Sequence, residues 1–274
     1  MNNQETLQNV FQQGKAFIPF VTAGDPDLAT TKELLWAMAA AGADLIEVGL
    51  PFSDPVAEGP VIQQADARAL AAGTTTDLIF TMLEEFRWRS SIPLAIMTYI
   101  NPIFVYGPER FMARCAQCGV CAVIVPDLPF EERQELQAAC RVYQIALIHL
   151  IAPTSKERIR QIAQAAEGFL YCVSSLGVTG MRDAITTDIG EMVRLVREVS
   201  AVPCAIGFGI STLAQAQEMA RYGDGVIVGS AIVDIVARHG RRAVEPVAAY
   251  VKQMKDAVRN ADCQKRRIIG GSFR

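Results

Sequence analysis

The sequence has only two histidines, His149 and His239, and neither has an acidic or cysteine neighbour at metal-ligand spacing. Metal-assisted bond cleavage is therefore disfavoured. Lysine is scarce too. Lys15, Lys32, Lys156, Lys252, Lys255 and Lys265 are the full set, and none falls within an apolar, strand-like run. Only Lys156 sits in a strand-to-helix loop, among polar neighbours. A Schiff-base lysine needs a desolvated setting to lower its pKa, so that chemistry has no candidate. Charge of one sign is also missing: the 274 residues carry a formal net charge of −3 and a pI of about 5.6, which leaves no footprint for nucleic acid. The longest uncharged stretch, Ser90 to Gly107, contains Pro93, Thr98, Asn101 and Pro102, unlike a membrane span of about 20 apolar residues. The first fifteen residues lack the basic-then-apolar layout of a secretory leader. Seven cysteines, an odd number scattered through apolar segments, predict a reducing compartment and hence a cytoplasmic protein.

What is present is a regular alternation of short apolar runs and amphipathic stretches. Strand-like runs cover Ala16–Val21, Leu45–Leu50, Leu94–Ile100, Ala122–Pro126, Ile145–Ile151, Phe169–Ser174, Cys204–Phe208 and Gly225–Val228. Helical patterns lie between them. Runs of four to eight residues rich in Val and Ile suit strands covered on both faces of a parallel sheet. Gly42, Gly119, Gly168 and Gly223 each sit where a helix should end, as left-handed caps. Eight βα units without a Ser- or Pro-rich linker predict one (β/α)8 barrel over residues 1–260, with an extra N-terminal helix and a short extra helix after strand eight. Residues 261–274, with Lys265-Arg266-Arg267, are expected to be a flexible basic tail. A doubly wound open sheet is the alternative, but the first strand leads into Thr22-Ala-Gly-Asp-Pro26 rather than G-x-G-x-x-G.

In a barrel the chemistry belongs at the C-terminal ends of the strands. On the second strand, Asp44-Leu-Ile-Glu-Val-Gly-Leu50, alternation puts Glu47 on the face of Leu45 and Gly49. A Glu there is either satisfied by a core hydrogen bond or is a general acid/base whose pKa burial raises. The following loop, Pro51 to Pro60, is stiffened by three prolines and a glycine and carries Asp54 and Glu58; each is a candidate acid or a solvated loop residue. Gly177-Val-Thr-Gly180, Gly207-Phe-Gly209-Ile-Ser211 and Gly229-Ser230 follow strands six, seven and eight. Glycines let backbone N–H groups approach an anion, and loops seven and eight with a short helix form a common barrel phosphate site. Cys115-Ala-Gln-Cys118-Gly-Val-Cys121 has no fourth ligand nearby, so these cysteines read as small buried hydrophobes. His149, within Ala-Leu-Ile-His-Leu-Ile, reads as a hydrogen-bonded barrel residue.

Pro19-Phe-Val-Thr-Ala-Gly-Asp-Pro26, Ile46-Glu-Val-Gly-Leu-Pro-Phe-Ser-Asp-Pro55, Gly177–Gly180 and Gly207–Ser211 together resemble the tryptophan synthase α subunits, over about Phe17 to Arg238. The resemblance implies a lyase that splits indole-3-glycerol phosphate into indole and glyceraldehyde 3-phosphate, with no cofactor and no metal in this chain. It implies a β-subunit partner in an α2β2 assembly that holds pyridoxal phosphate. Carried over by position, Glu47 is the catalytic glutamate and Glu58 stands for a second acid that is usually an aspartate, one methylene shorter. Asp54 and Thr179 match a closing loop pair, and Phe20, Tyr99 and Tyr171 the indole pocket. Gly180, Gly209, Gly229 and Ser230 match the phosphate site. Pro51, Asn101–Phe104 and Asp127–Phe130, including Pro129, match the partner-facing surface. Two other classes remain open on the residues alone: another phosphate-binding barrel enzyme, such as an aminosugar-phosphate isomerase, and a non-catalytic activator of a β subunit.

Overall fold

A computed structural model of the chain describes residues 3–173, 189–207 and 209–269. In chain order the elements are α1 (Asn3–Gln12), β1 (Ala16–Thr22), α2 (Leu28–Ala40), β2 (Ile46–Gly49), α3 (Pro60–Ala71), α4 (Thr76–Arg87), β3 (Leu94–Met97), α5 (Ile100–Tyr106), α6 (Pro108–Gln117) and β4 (Val120–Ile124). There follow α7 (Gln134–Val142), β5 (Ala146–Ile151), α8 (Lys156–Ala165), β6 (Leu170–Val173), α9 (Ile189–Arg197), β7 (Cys204–Gly207), α10 (Leu213–Tyr222), β8 (Gly225–Val228), α11 (Ser230–His239) and α12 (Val244–Ile269). Each strand pairs in parallel with the next and β8 pairs with β1, so the eight strands among the described residues close into a barrel. Among the described residues no helix is long and apolar enough to cross a membrane.

Strand alternation sorts the side chains into two cores. Phe17, Val21, Ile46, Val48, Leu94, Ile96, Cys172, Ile206 and Val228 point outward and are covered by the helices. Ala16, Ile18, Phe20, Ala95, Met97, Ala122, Ile124, Ala146, Ile148, Tyr171, Ala205 and Ile227 fill the barrel itself. Five of these twelve are alanines interleaved with larger side chains, because eight strands leave room for little more than layered side chains. At the N-terminal end, Leu7, Val10 and Phe11 of α1 join that inner cluster, and the Phe11 ring meets Phe169 at 5.5 Å.

Two expectations are corrected. The strand read as Leu94–Ile100 stops at Met97, and a helix, α5, begins at Ile100. Pro102 lies in its first turn, where a missing N–H costs nothing. Gly107, at φ 91°, then separates α5 from α6, so the apolar Ile100, Ile103 and Phe104 belong to a helix and not to an extended strand. The second correction is Gly223. Gly42, Gly119 and Gly168 do have positive φ, but Gly223 lies at φ −98° and ψ 176°. Glycine is needed there for space: a Cβ would stand 2.8 Å from the Cys204 carbonyl oxygen and 2.8 Å from Ile206 Cδ1.

Candidate active site

A cleft opens at the C-terminal ends of the strands and encloses about 420 Å³ of atom-free space, its solvent mouth included. Phe20, Glu47, Met97, Tyr171 and Ile227 reach it from the strands, Glu58 and Ile62 from the loop and helix after β2, and Gly209, Ile210, Gly229 and Ser230 from the last two loops.

The register places Phe20 beside Glu47 and Glu47 beside Ala95, all directed into the barrel. Glu47 is 1% exposed, and neither carboxyl oxygen has a hydrogen-bond partner among the described residues. A core hydrogen bond therefore does not account for it. Burial, and then the neighbouring Glu58 carboxylate, push its pKa up to about 8. At neutral pH Glu47 is a protonated acid facing a cavity.

Glu58 is only 4% exposed, so it is not a solvated loop residue. Its backbone is fixed on two sides: the N–H donates to the Pro55 carbonyl at 3.3 Å, and the carbonyl accepts from the Gln63 side chain at 2.8 Å. Gly59 and Pro60 start α3 immediately afterwards. Asp54 behaves differently. It is exposed, accepts from the Ser53 hydroxyl at 2.5 Å and does not line the cleft.

Phe20 and Tyr171 form apolar walls, and each rests on a glycine. A Cβ at Gly49 would come within 2.5 Å of the Phe20 ring, and one at Gly207 within 2.6 Å of the Tyr171 ring and hydroxyl. Gly207→Ala should therefore displace Tyr171 and cost about 1–3 kcal/mol by overpacking. Denaturant unfolding together with a crystal structure of the variant checks this, and an unmoved ring at unchanged stability would refute it. Tyr99, expected on the same wall, is placed elsewhere. It is buried outside the cleft lining, its hydroxyl accepts from the Ala57 N–H at 2.9 Å, and its ring lies 5.3 Å from Phe52. Its position braces the loop one residue before Glu58.

At the far side, Gly209 takes φ 77° and Gly229 caps the ten-residue α11, whose first residue, Ser230, lines the cleft. A helix start presents N–H groups without intrahelical partners and favours an anion. Thr179 and Gly180 lie outside the described residues.

Asp66 escaped the sequence reading. It is 5% exposed on the buried face of α3 with Ile62, Ala65 and Ala69, and burial followed by Glu58 pushes its pKa up to about 7. A charged residue on the i, i+3, i+4, i+7 face of an amphipathic helix was the available signal. Its neighbour Arg68 forms a two-armed pair with Asp25, both contacts at 2.8 Å.

His149 packs edge-on against Phe130 at 5.2 Å, and burial, with Arg133 nearby, holds it down to about 4. The described cysteines are all buried and free; burial lifts Cys118 to about 11 and Cys121 to about 12, far from the thiolate a metal would need. Among the described residues no three His, Cys, Asp or Glu side chains are grouped to hold a metal. Half-buried Pro51 and exposed Pro129 sit on the loops after β2 and β4 and exposed Asn101 in the first turn of α5 after β3, at the same end as the cleft. Asp127 ties two of these loops by accepting from the Ile100 N–H at 2.9 Å.

Residues 7–259 match the family model described as tryptophan synthase alpha chain. A tryptophan synthase alpha chain of Lacticaseibacillus casei is 47% identical, the match spanning 92% of this chain and 95% of that one. One from Lactiplantibacillus plantarum is 47% identical over 93% and 98%. Among solved structures, the tryptophan synthase alpha chain of Legionella pneumophila superposes with a TM-score of 0.84 at 33% identity, covering 95% of this chain and 98% of that one. A chain of the tryptophan synthase complex of Pyrococcus furiosus gives 0.81 at 35% identity, covering 89% and 98%.

Proposed function

The chain belongs to the tryptophan synthase alpha chain family, and on that premise we propose that Glu47 and Glu58 carry the proton transfers of its reaction. That reaction is a carbon–carbon lyase step, the cleavage of indole-3-glycerol phosphate to indole and glyceraldehyde 3-phosphate. The observation that supports the assignment is the buried Glu47 carboxyl of β2 beside Glu58, with no hydrogen-bond donor to it among the described residues.

With its pKa near 8, Glu47 starts protonated. It gives its proton to indole C3, which leaves the ring as the indoleninium cation. The resulting carboxylate then takes the proton of the adjoining glycerol hydroxyl as the carbon–carbon bond breaks. The electron pair of that bond returns to the ring, an aldehyde forms, and Glu47 ends protonated as it began. One carboxyl poised between acid and base near neutral pH suffices for both transfers. Glu58 faces the indole N–H and stabilises the transient positive charge. Phe20 and Tyr171 sandwich the ring; Gly209, Gly229 and Ser230, with Thr179 and Gly180, hold the phosphate; and Asp54 with Thr179 closes over the substrate.

The chain itself works without a cofactor in this assignment, and pyridoxal phosphate belongs to a β subunit that consumes the indole. That partner seats over Pro51, Asn101 and Pro129 in an α2β2 assembly. The buried free thiols agree with a reducing cytoplasm. Because Pro51 opens the acid-bearing loop, docking there should favour the ordered, active loop. Indole release from indole-3-glycerol phosphate by the purified chain should rise when a β subunit is added. No release under either condition would overturn the assignment.

A further inference from the structure

The stretch Gly209–Ser211 leaves the cleft and turns into α10 under unusually complete restraint. One side-chain oxygen, Gln215 Oε1, accepts from the backbone N–H groups of both Ser211 at 2.9 Å and Thr212 at 3.1 Å. Thr212 returns the contact by accepting from the Gln215 N–H at 3.2 Å, which completes a capping box. The Ser211 and Thr212 N–H groups are thus already spent within the protein. An anion in the cleft has to be met by N–H groups upstream of Ser211 and by the start of α11.

The Ser211 carbonyl, in turn, accepts from the Tyr250 hydroxyl at 2.8 Å. Tyr250 lies 39 residues further along the chain, in the second turn of α12, half-buried against the outer core. It touches neither the cleft nor the acids. Its one polar atom is spent on holding a peptide two residues from Gly209. The Ser211–Thr212 peptide plane is held at both ends, its Thr212 N–H by Gln215 and its Ser211 carbonyl by Tyr250, and cannot rotate without breaking a bond. The orientation of the neighbouring Gly209 and Ile210 peptides is set from that fixed plane.

We propose that Tyr250 is a positioning residue for phosphate recognition, its hydroxyl locking the Ser211 peptide so that the Gly209–Ile210 backbone is presented to the phosphate of the substrate. The role rests on the phosphate site proposed for the loops after β7 and β8. It extends that site to a helix that contributes no atom to the cleft.

Tyr250→Phe removes the hydroxyl and keeps the ring, so the packing of α12 survives. Calorimetric titration with glycerol 3-phosphate should show binding weakened about two- to tenfold, the range expected for one lost hydrogen bond. The KM for indole-3-glycerol phosphate should rise by a similar factor, with a much smaller change in kcat. Affinity for indole, which lacks a phosphate, should stay at the wild-type level. Wild-type affinity for glycerol 3-phosphate in Tyr250→Phe would overturn the inference, including the case where the melting temperature falls, because the bond would then serve the fold alone. Gly209→Val is measured in parallel. If it abolishes phosphate binding while Tyr250→Phe does not, only the role of Tyr250 fails; if both bind normally, the phosphate site itself is misplaced.

Discussion

Glu47→Gln is expected to keep the barrel and the affinity for indole-3-glycerol phosphate while losing about 10²–10⁴-fold or more in turnover. The amide matches the carboxyl in shape, so the inner layer of Phe20, Ala95 and Tyr171 has no reason to repack. What disappears is the exchangeable proton used twice in each cycle. Near-normal steady-state turnover by the variant would remove Glu47 from the mechanism. Stability moves the other way. The folded chain holds the Glu47 proton up to about pH 8, whereas an unfolded chain releases it near the ordinary value of 4.5. The contribution of this group to stability is complete below 4.5 and is lost as the pH rises through 8. Glutamine bears no such penalty, so Glu47→Gln should gain stability over the wild type between pH 5 and 8, read by urea unfolding across that range. The wild-type rate should fall along the same upper limb, since Glu47 must begin protonated.

Glu58→Gln should be nearly as severe, at about 10²–10³-fold in kcat, because it removes a preorganised charge that acts mainly as positive charge develops on the ring. Glu58→Asp keeps the charge and retracts it by one methylene. The loop around it is held by Tyr99 at Ala57, by Gln63 at the Glu58 carbonyl and by prolines on either side, so it has little freedom to follow. A shortfall of ~1 Å can cost about a hundredfold, and the aspartate variant should therefore recover only part of the activity. A second signature separates charge from reach. Glu58 helps to push Glu47 upward, so in Glu58→Gln the loss of activity at high pH should begin at a lower pH than in the wild type. In Glu58→Asp the limb should stay close to its original place. Wild-type turnover in both variants would leave Asp54 as the next acid to test, although it stands exposed outside the cleft.

The repeat of strand and helix was legible because a parallel strand covered on both sides must be a short, nearly unbroken apolar run, and a period of two then assigns Glu47 to the inside. Glu58 could not be assigned in that way, since a loop has no period. Its burial depends on Tyr99 and Gln63, whose relation to it exists only after folding. Tyr99, matched to the indole pocket by resemblance, has a second relation that only folding shows: it follows the end of β3 at Met97, and its hydroxyl accepts from the Ala57 N–H of the acid loop. Gly223 looked like its three counterparts, yet its requirement is clearance from Cys204 and Ile206 on the neighbouring strand β7. Local conformation is written locally; clearance is not. The bond from Tyr250 to Ser211, spanning 39 residues, belongs to the same class.

The filled barrel interior, with Leu7, Val10 and Phe11 packed beneath it, makes the cleft a cul-de-sac. Among the described residues the cleft opens at the C-terminal ends of the strands, so arriving substrate and both departing products share that doorway. Uptake and release must then take turns, and occupancy of the doorway by one product delays the exit of the other. Any chain docked across the loops of Pro51, Asn101 and Pro129 stands over that doorway and becomes the first surface the indole meets.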